Sequence, residues 1–342
     1  MTTDLEAPRE PLLVVEDLHT VFHTPRGDVR AVDGVSFAVA PGETLGLVGE
    51  SGSGKSVLGR TVMGLISNAQ TTTVTGRVLL GGQDIHALDR GRRRRLWGTE
   101  VAMVFQDPMT SLNPVKRIGA HLTETLRSHL SCSRKEATER GTDLLRQVGI
   151  PEPARRMTQY PHELSGGMRQ RVVIALALTC DPRLLIADEP TTALDVTVQK
   201  QILDLLARLT EERHMAMILV SHDLGAVVGR TDRVQVMYAG RTVESGDTRP
   251  VFAAPGHHYT DALLGSIPQL TNAPHTLLRS IEGSPPDMTR PPTGCRFAPR
   301  CGRADETCVE VPPPLLPALG GDGRKVACHH SLIPTEELSH GR

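Results

Sequence analysis

The stretch Gly49-Glu50-Ser51-Gly52-Ser53-Gly54-Lys55-Ser56 constrains this chain more than any other. The pattern G-x-x-x-x-G-K-S needs glycines so that successive backbone N–H groups can curl round an anion without Cβ clashes. It also supplies a lysine that reaches the outer phosphates and a hydroxyl for Mg²⁺. The flanks agree. Glu43 to Val48 is a short, mostly apolar, strand-like run, and apolar residues at helical spacing follow Lys55. A strand, a glycine loop and a helix N-terminus in series set the positive end of a helix dipole under the anion. Gly49, Ser51, Gly52, Ser53, Gly54, Lys55 and Ser56 are therefore candidate ligands of a nucleotide polyphosphate, with Ser56 also on its Mg²⁺.

Leu184 to Ala187 runs into Asp188-Glu189-Pro190, an apolar segment closed by two acids. Such a segment reads as a buried parallel strand whose C-terminal tip faces a nucleotide. Asp188 would sit against the Mg²⁺ shell, and Glu189 would orient or deprotonate an attacking water. Acids at strand ends are common; the phosphate loop in the same chain is what gives these two their meaning. About twenty residues earlier, Leu164-Ser165-Gly166-Gly167-Met168-Arg169-Gln170-Arg171 opens a long helical run. A Ser-Gly-Gly turn at a helix start is a second anion cradle. One nucleotide does not need two. The second is explained if Ser165 and Gly167 serve a nucleotide held by a partner subunit.

With these motifs in this order, the chain resembles the ATP-binding subunits of ABC transporters, in which two such domains sandwich two ATP molecules head to tail. The resemblance runs from about Leu12 to about Gly246. It implies that Gln106, after Val101 to Phe105, is the glutamine loop and reaches Mg²⁺. It implies that Thr192-Ala193-Leu194-Asp195 is the D-loop, with Asp195 at the ATP. His222, within Ser221-His222-Asp223, matches the switch histidine, which joins Glu189 and Gln106 as the catalytic set. Phe22 matches the aromatic that stacks on adenine, with His23 or a neighbour as the alternative. Two positions depart from the usual pattern. Met168 stands where most members have Gln, and Thr192 where Ser is common, so any hydrogen bond from an amide at 168 is absent. The segment Gln106-Asp107-Pro108-Met109-Thr110-Ser111-Leu112-Asn113-Pro114 resembles the oligopeptide/dipeptide importer subgroup.

Strands and helices alternate from Val14 to Val243, which argues for an α/β fold with a mixed, mainly parallel sheet flanked by helices. The mostly helical stretch within about 115–180 matches the helical subdomain of ABC ATPases. The 38 basic and 39 acidic residues, with few aromatics for base stacking, imply no nucleic-acid partner. Arg90 to Arg95, broken only by Gly91, reads as a solvated helix face before Trp97. No N-terminal segment reads as a signal peptide. The apolar stretch Val172 to Cys180 is far shorter than the roughly 20 residues that span a bilayer, so membrane parts are expected on other chains.

Past about Thr248 the character changes: fourteen of the 25 prolines fall between Pro250 and Pro334, and periodicity fades. The expected division is therefore an ABC ATPase domain over 1–250 and a Pro/Cys-rich extension over 251–342. Such a segment cannot stabilise itself by core burial alone and needs a staple. Cys295, Cys301, Cys308 and Cys328 are the candidates, as ligands of Zn²⁺ or of an iron–sulfur cluster, or as free thiols. Their gaps of five, six and nineteen residues lack the C-x-x-C knuckle usual in zinc ribbons. The segment from Gly294 to Cys301, with Ala327-Cys328-His329, resembles the C-terminal extension of peptide-importer ATPases, some of which carry a [4Fe-4S] cluster. Loss of the thiols is expected to leave the ATP site largely preserved, because its residues all lie before the boundary.

The resemblance thus implies an ATP-hydrolysing subunit of a peptide importer, peripheral at the cytoplasmic face of the cell membrane. It would pair with a second, paralogous ABC ATPase beneath two membrane permease subunits, fed by an extracytoplasmic peptide-binding protein. Another cargo, such as nickel, glutathione or an exported solute, is the alternative. A soluble DNA-repair ABC ATPase would insert a long coiled coil, yet only about 110 residues separate Lys55 from Ser165, without sustained heptads.

Overall fold

The computed structural model describes residues 10–107, 111–192, 194–266, 281–320 and 323–336. In chain order it begins β1 (Leu13–Thr24), β2 (Gly27–Val39), β3 (Thr44–Val48), α1 (Lys55–Val62), β4 (Thr72–Leu80), β5 (Gln83–Asp84), α2 (Arg90–Leu96) and β6 (Val101–Val104). Helices α3 (Ile118–His129), α4 (Arg134–Gln147), α5 (Pro153–Arg156) and α6 (Gly166–Ala177) lead to β7 (Leu184–Asp188), α7 (Val196–Glu212) and β8 (Ala216–Ser221). Then come α8 (Leu224–Val227), β9 (Arg233–Tyr238), β10 (Arg241–Asp247), α9 (Thr248–Ala253) and α10 (His258–Gly265). The last elements are α11 (Glu306–Glu310), β11 (Leu316–Pro317) and β12 (Lys325–Val326). By their contacts these residues form two compact units. One is built on Ala38–Thr44 and Leu79–Val220 with residues up to Val14; the other on Val15–Phe37, Leu45–Val78 and residues from Ser221 onward.

In the first unit β6, β7 and β8 lie parallel, with Met103 opposite Ile186 and Ile186 opposite Ile218. Every residue of these strands is buried, the continuous apolar pattern that a strand covered on both faces requires. Helices α3, α4 and α6 pack on one another, with Leu122, Leu126, Leu145 and Val173 among their buried residues, in the helical stretch read from sequence. Their starts are specified locally. Ser133 and Glu136 form a reciprocal capping box at α4, and Ser165 Oγ accepts from Met168 N at α6. Asp89 caps α2, none of whose residues is buried, so the arginine run is a solvated helix face.

In the second unit β3 runs parallel to β9, with Leu45 opposite Arg233, and β9 turns into antiparallel β10. The extension then joins this sheet: β12 pairs with β10, Glu244 opposite Val326, and β11 pairs with β12. Its Phe297 completes an aromatic cluster with Tyr238 and Tyr259, at ring-centroid distances of 5.3 and 5.4 Å. Residues beyond 250 therefore cluster with the ATPase strands rather than as a unit of their own. Glu244, fully buried in β10, accepts hydrogen bonds from Gly256 N (2.7 Å) and His257 N (3.0 Å) at the start of the extension. Burial nonetheless holds its carboxyl above the usual carboxylate range. Among the described residues, no helix is long and apolar enough to cross a membrane.

Candidate nucleotide site and thiol site

The glycine loop lies in the second unit, between β3 and α1. Gly49 and Gly54 have φ of +148° and +100°, and a Cβ on either would lie 2.1 Å from a backbone carbonyl oxygen, of Met237 and Ala31 respectively. Only glycine fits there. Lys55 is 4% exposed, and its Nζ donates to Gly49 O (2.7 Å), Glu50 O (2.8 Å) and Ser53 Oγ (3.3 Å). The ammonium thus braces the inside of the loop that the sequence assigns to phosphate. Gly52 (φ +81°) is open to solvent, and Ser56 stands in the first turn of α1. On β1, Phe22 and His23 are successive and so face opposite sides of the strand. His23 is tied to Asp28 (2.8 Å) and Thr73 (2.7 Å), which leaves Phe22 the better candidate for the adenine.

The acidic strand end lies in the first unit. Asp188 is fully buried at the tip of β7, paired with Val220 of β8. Glu189 follows at φ +46°, an unusual conformation for a residue with a Cβ, and its N–H donates to Val220 O (3.0 Å). Its Oε2 accepts from Gln106 Nε2 (2.9 Å) and Thr192 Oγ1 (3.1 Å). The threonine that departs from the usual serine therefore keeps the hydroxyl, and with it the bond. At the signature, Met168 contributes its backbone N–H to Ser165 Oγ, which any residue can do. Gly167 leaves room for α7: a Cβ there would lie 2.8 Å from Val198 Cγ1, so that side chain would have to shift. Asp195 serves as the N-cap of α7, accepting from Val198 N at 2.9 Å. His222 is exposed at the end of β8, and the following Asp223 caps α8. Ala193 of the D-loop and Pro108, Met109 and Thr110 of the glutamine-loop segment lie outside the described residues.

Cys295, Cys301, Cys308 and Cys328 line one cavity of the second unit, together with His257, Phe297 and His330. None of the four is in a disulfide. Burial pushes up the thiols of Cys295, Cys308 and Cys328, the last to about 11, and each neighbouring thiol adds to the effect. Ionising them together needs a positive charge in their midst, which a metal centre supplies. The donor set thus fits a metal or cluster bound by thiolates. The nearby histidines are engaged otherwise. His329 Nε2 bonds Val311 O (2.9 Å), and His330 Nε2 bonds Asp305 (2.8 Å), itself the cap of α11. His257 is fully buried and accepts from Tyr259 N; burial lowers it to about 3, so it is neutral.

The segment between the first two cysteines also touches the glycine loop, which the sequence reading had set apart from the extension. Arg300 forms a two-pronged ion pair with Glu50 (2.6 and 3.1 Å), and Tyr259 OH accepts from Glu50 N (2.7 Å). Arg296 Nη2 pairs with the buried Asp33 at 2.5 Å, and its Nη1 donates to Ala239 O. Burial favours protonation of Asp33, but Arg296, Arg241 and His19 more than offset it and hold it below the usual range. No sequence signal pointed to these contacts. Arg296 and Arg300 sit in a loop without periodicity, and their partners lie about 250 residues away.

Comparison with known proteins sets these sites in a family. Residues 32–192 match the family described as ABC transporter, and residues 243–308 match the oligopeptide/dipeptide transporter C-terminal region. The oligopeptide transport ATP-binding protein OppD of Salmonella typhimurium (strain LT2) is 48% identical over 336 residues, covering 98% of each chain. This chain belongs to the ATP-binding subunits of oligopeptide/dipeptide ABC transporters. A putative peptide import ATP-binding protein of Brucella abortus (strain 2308) is 50% identical over 317 residues, covering 90% of this chain and 94% of its own. Among solved structures, a dimeric ATP-binding cassette in a post-hydrolysis state bound to ADP and Pi superposes with a TM-score of 0.62 at 25% identity, over 69% of this chain and 99% of its own. The cbiO1 subunit of a Clostridium perfringens ABC transporter gives 0.61 at 28% identity, over 72% and 92%. The ABC-type fold read from the motifs is therefore borne out for this transporter subunit.

Proposed function

We propose that this protein hydrolyses ATP to power peptide import across the cell membrane, through ATP-driven closure of an ATPase dimer. The observation that carries this reading is one chain holding both a phosphate loop that admits only glycine at Gly49 and Gly54 and a C-terminal region of the oligopeptide/dipeptide type. Lys55 and the backbone N–H groups around Gly52, Ser53 and Gly54 bind the phosphates, and Phe22 stacks on the adenine. Ser56 would hold Mg²⁺, with Asp188 and Gln106 as further candidate ligands, and the ion would neutralise charge on the phosphate oxygens. Glu189 takes the proton of the attacking water, its carboxylate aimed by Gln106 and Thr192. His222 senses the terminal phosphate. Ser165 and Gly167, with Asp195 behind them, complete the nucleotide site of the second ATPase. That partner is a paralogue. Both work at the cytoplasmic face of the membrane beneath two permease subunits, and an extracytoplasmic binding protein delivers the peptide.

The four thiols hold a [4Fe-4S] cluster in this reading, supported by their convergence on one cavity and by the absence of a disulfide among them. A bound cluster would supply the positive charge that thiolate ligands need. Zn²⁺ held by the same four thiols is the second reading.

The test is ATP-dependent peptide uptake by the reconstituted transporter. Glu189→Gln is expected to keep ATP binding yet stop uptake and cut ATPase activity at least tenfold, since general-base assistance is worth about 10²–10⁴-fold. Uptake that persists without hydrolysis, or hydrolysis unrelated to peptide, contradicts the reading.

A further inference from the structure

We propose that Arg300 is a positioning residue of the nucleotide site: carried by the segment between Cys295 and Cys301, it fixes Glu50 in the phosphate loop and lets the state of the thiol cavity reach the nucleotide. The inference rests on the reading of Gly49–Ser56 as the phosphate loop.

The geometry is specific. The Arg300 side chain is 4% exposed and all five of its N–H donors are used: two on the Glu50 carboxylate, one on Tyr238 OH (3.3 Å), one on Ile281 O (3.1 Å) and one on Glu282 O (2.9 Å). Bidentate pairing fixes the carboxylate in angle as well as distance. Glu50 in turn is a hub of the loop. Its carbonyl accepts from Lys55 Nζ, and its N–H donates to the buried Tyr259 hydroxyl. Holding the Glu50 side chain therefore fixes the backbone that orients the lysine.

The other end of the strut is the thiol cavity. Cys295 N donates to Cys308 O (2.7 Å), and the turn from Cys295 to Cys301 is closed by Ala298 N to Cys295 O and Cys301 N to Ala298 O. Between the two cysteines, Phe297 packs on Tyr238 and Tyr259, while Arg296 clamps Asp33 and Ala239. Gly240 N, next to Ala239, donates to Ser53 O of the loop (2.9 Å). Two cysteines thus bracket two arginines in one short segment, Cys295 and Cys301 lining the cavity while Arg296 and Arg300 grip the wall of the nucleotide loop. A segment ordered by a bound metal centre presents Arg300 in place; a segment released from it does not.

The experiment measures binding of the fluorescent analogue mant-ATP, with Mg²⁺, to the full-length subunit purified with its native metal centre. Arg300→Met is expected to raise Kd about tenfold, with Arg300→Lys intermediate because a point charge cannot make the fork. Glu50→Gln should weaken binding similarly, and the double variant no further, since both remove one ion pair. In the assembled transporter, Arg300→Met should raise KM for ATP about tenfold while kcat stays within about twofold, a split that general unfolding would not give. Cys301→Ser should raise Kd several-fold alone and add nothing in the Glu50→Gln background. Unchanged affinity in Arg300→Met, additive effects in the double variant, or unchanged affinity in Cys301→Ser each overturn the proposal. If Arg300→Met does not fold, Glu50→Gln at its half-buried position decides, and wild-type affinity there is equally fatal. Lys55→Ala separates the two readings: normal affinity in that variant would refute the phosphate-loop assignment itself, whatever Arg300 does.

Discussion

Glu189 shows how much a single position can demand. Its φ of +46° costs on the order of 1–3 kcal/mol for a residue with a Cβ, and such strain is kept where the surroundings over-determine it. Here Gln106, Thr192 and the Val220 carbonyl do so. Gly49 makes the opposite case, a position where no side chain is possible. Gly49→Ala would set a Cβ 2.1 Å from Met237 O, so the loop or β9 must move. We expect a loss of at least about 2 kcal/mol, from the strained φ and the displaced backbone together, and a much smaller rise in melting temperature on adding ATP. Thermal unfolding with and without nucleotide reads both, and a variant as stable and as responsive as the wild type would refute the close approach. At this scale the sequence was informative wherever chemistry demands a residue type at fixed spacing. Lys55, Asp188 and Ser165 were legible for that reason. It flagged Thr192 only as a departure, not as a hydroxyl within reach of Glu189, and it did not show Asp195 as a helix cap.

Among the elements, those with long signals were recognisable: β7 as a buried apolar run, and α3, α4 and α6 within one helical stretch; the capping box of α4 and the buried face of α7, with Ile202, Leu206 and Leu209, emerged only in the structure. The extension was not recognisable. Strands β11 and β12 are two residues each, too short for any alternation to show, and they exist because β10 offers an edge to pair with. What replaces periodicity is the aromatic cluster. Phe297→Ala removes the extension's contribution to it and should cost about 3–5 kcal/mol, the usual range for a buried phenylalanine. Denaturant unfolding checks the value. A loss under about 1 kcal/mol would mean that Tyr238 and Tyr259 pack without it.

Over the whole molecule, the proposed thiol site would add a staple to an extension already joined to β10 and to the aromatic cluster. Protein purified without oxygen is expected to be brown, with about four irons and four sulfides per chain. Each of Cys295→Ser, Cys301→Ser, Cys308→Ser and Cys328→Ser should bleach it and loosen the segments that these residues anchor. Stoichiometric zinc without acid-labile sulfide would reassign the metal, and four freely alkylated thiols would remove it. The sequence by itself determined the family and pointed to the nucleotide loop and the acidic strand end, because each is a short pattern whose chemistry is tied to spacing; the four cysteines it could only nominate, since their spacing fits no single ligand set. Only the tertiary structure decided that the cysteines share one cavity and that the extension continues the ATPase sheet. It alone placed Arg300 on Glu50. Those are contacts between residues distant in sequence, each side of which is unremarkable until folding brings them within a hydrogen bond's reach.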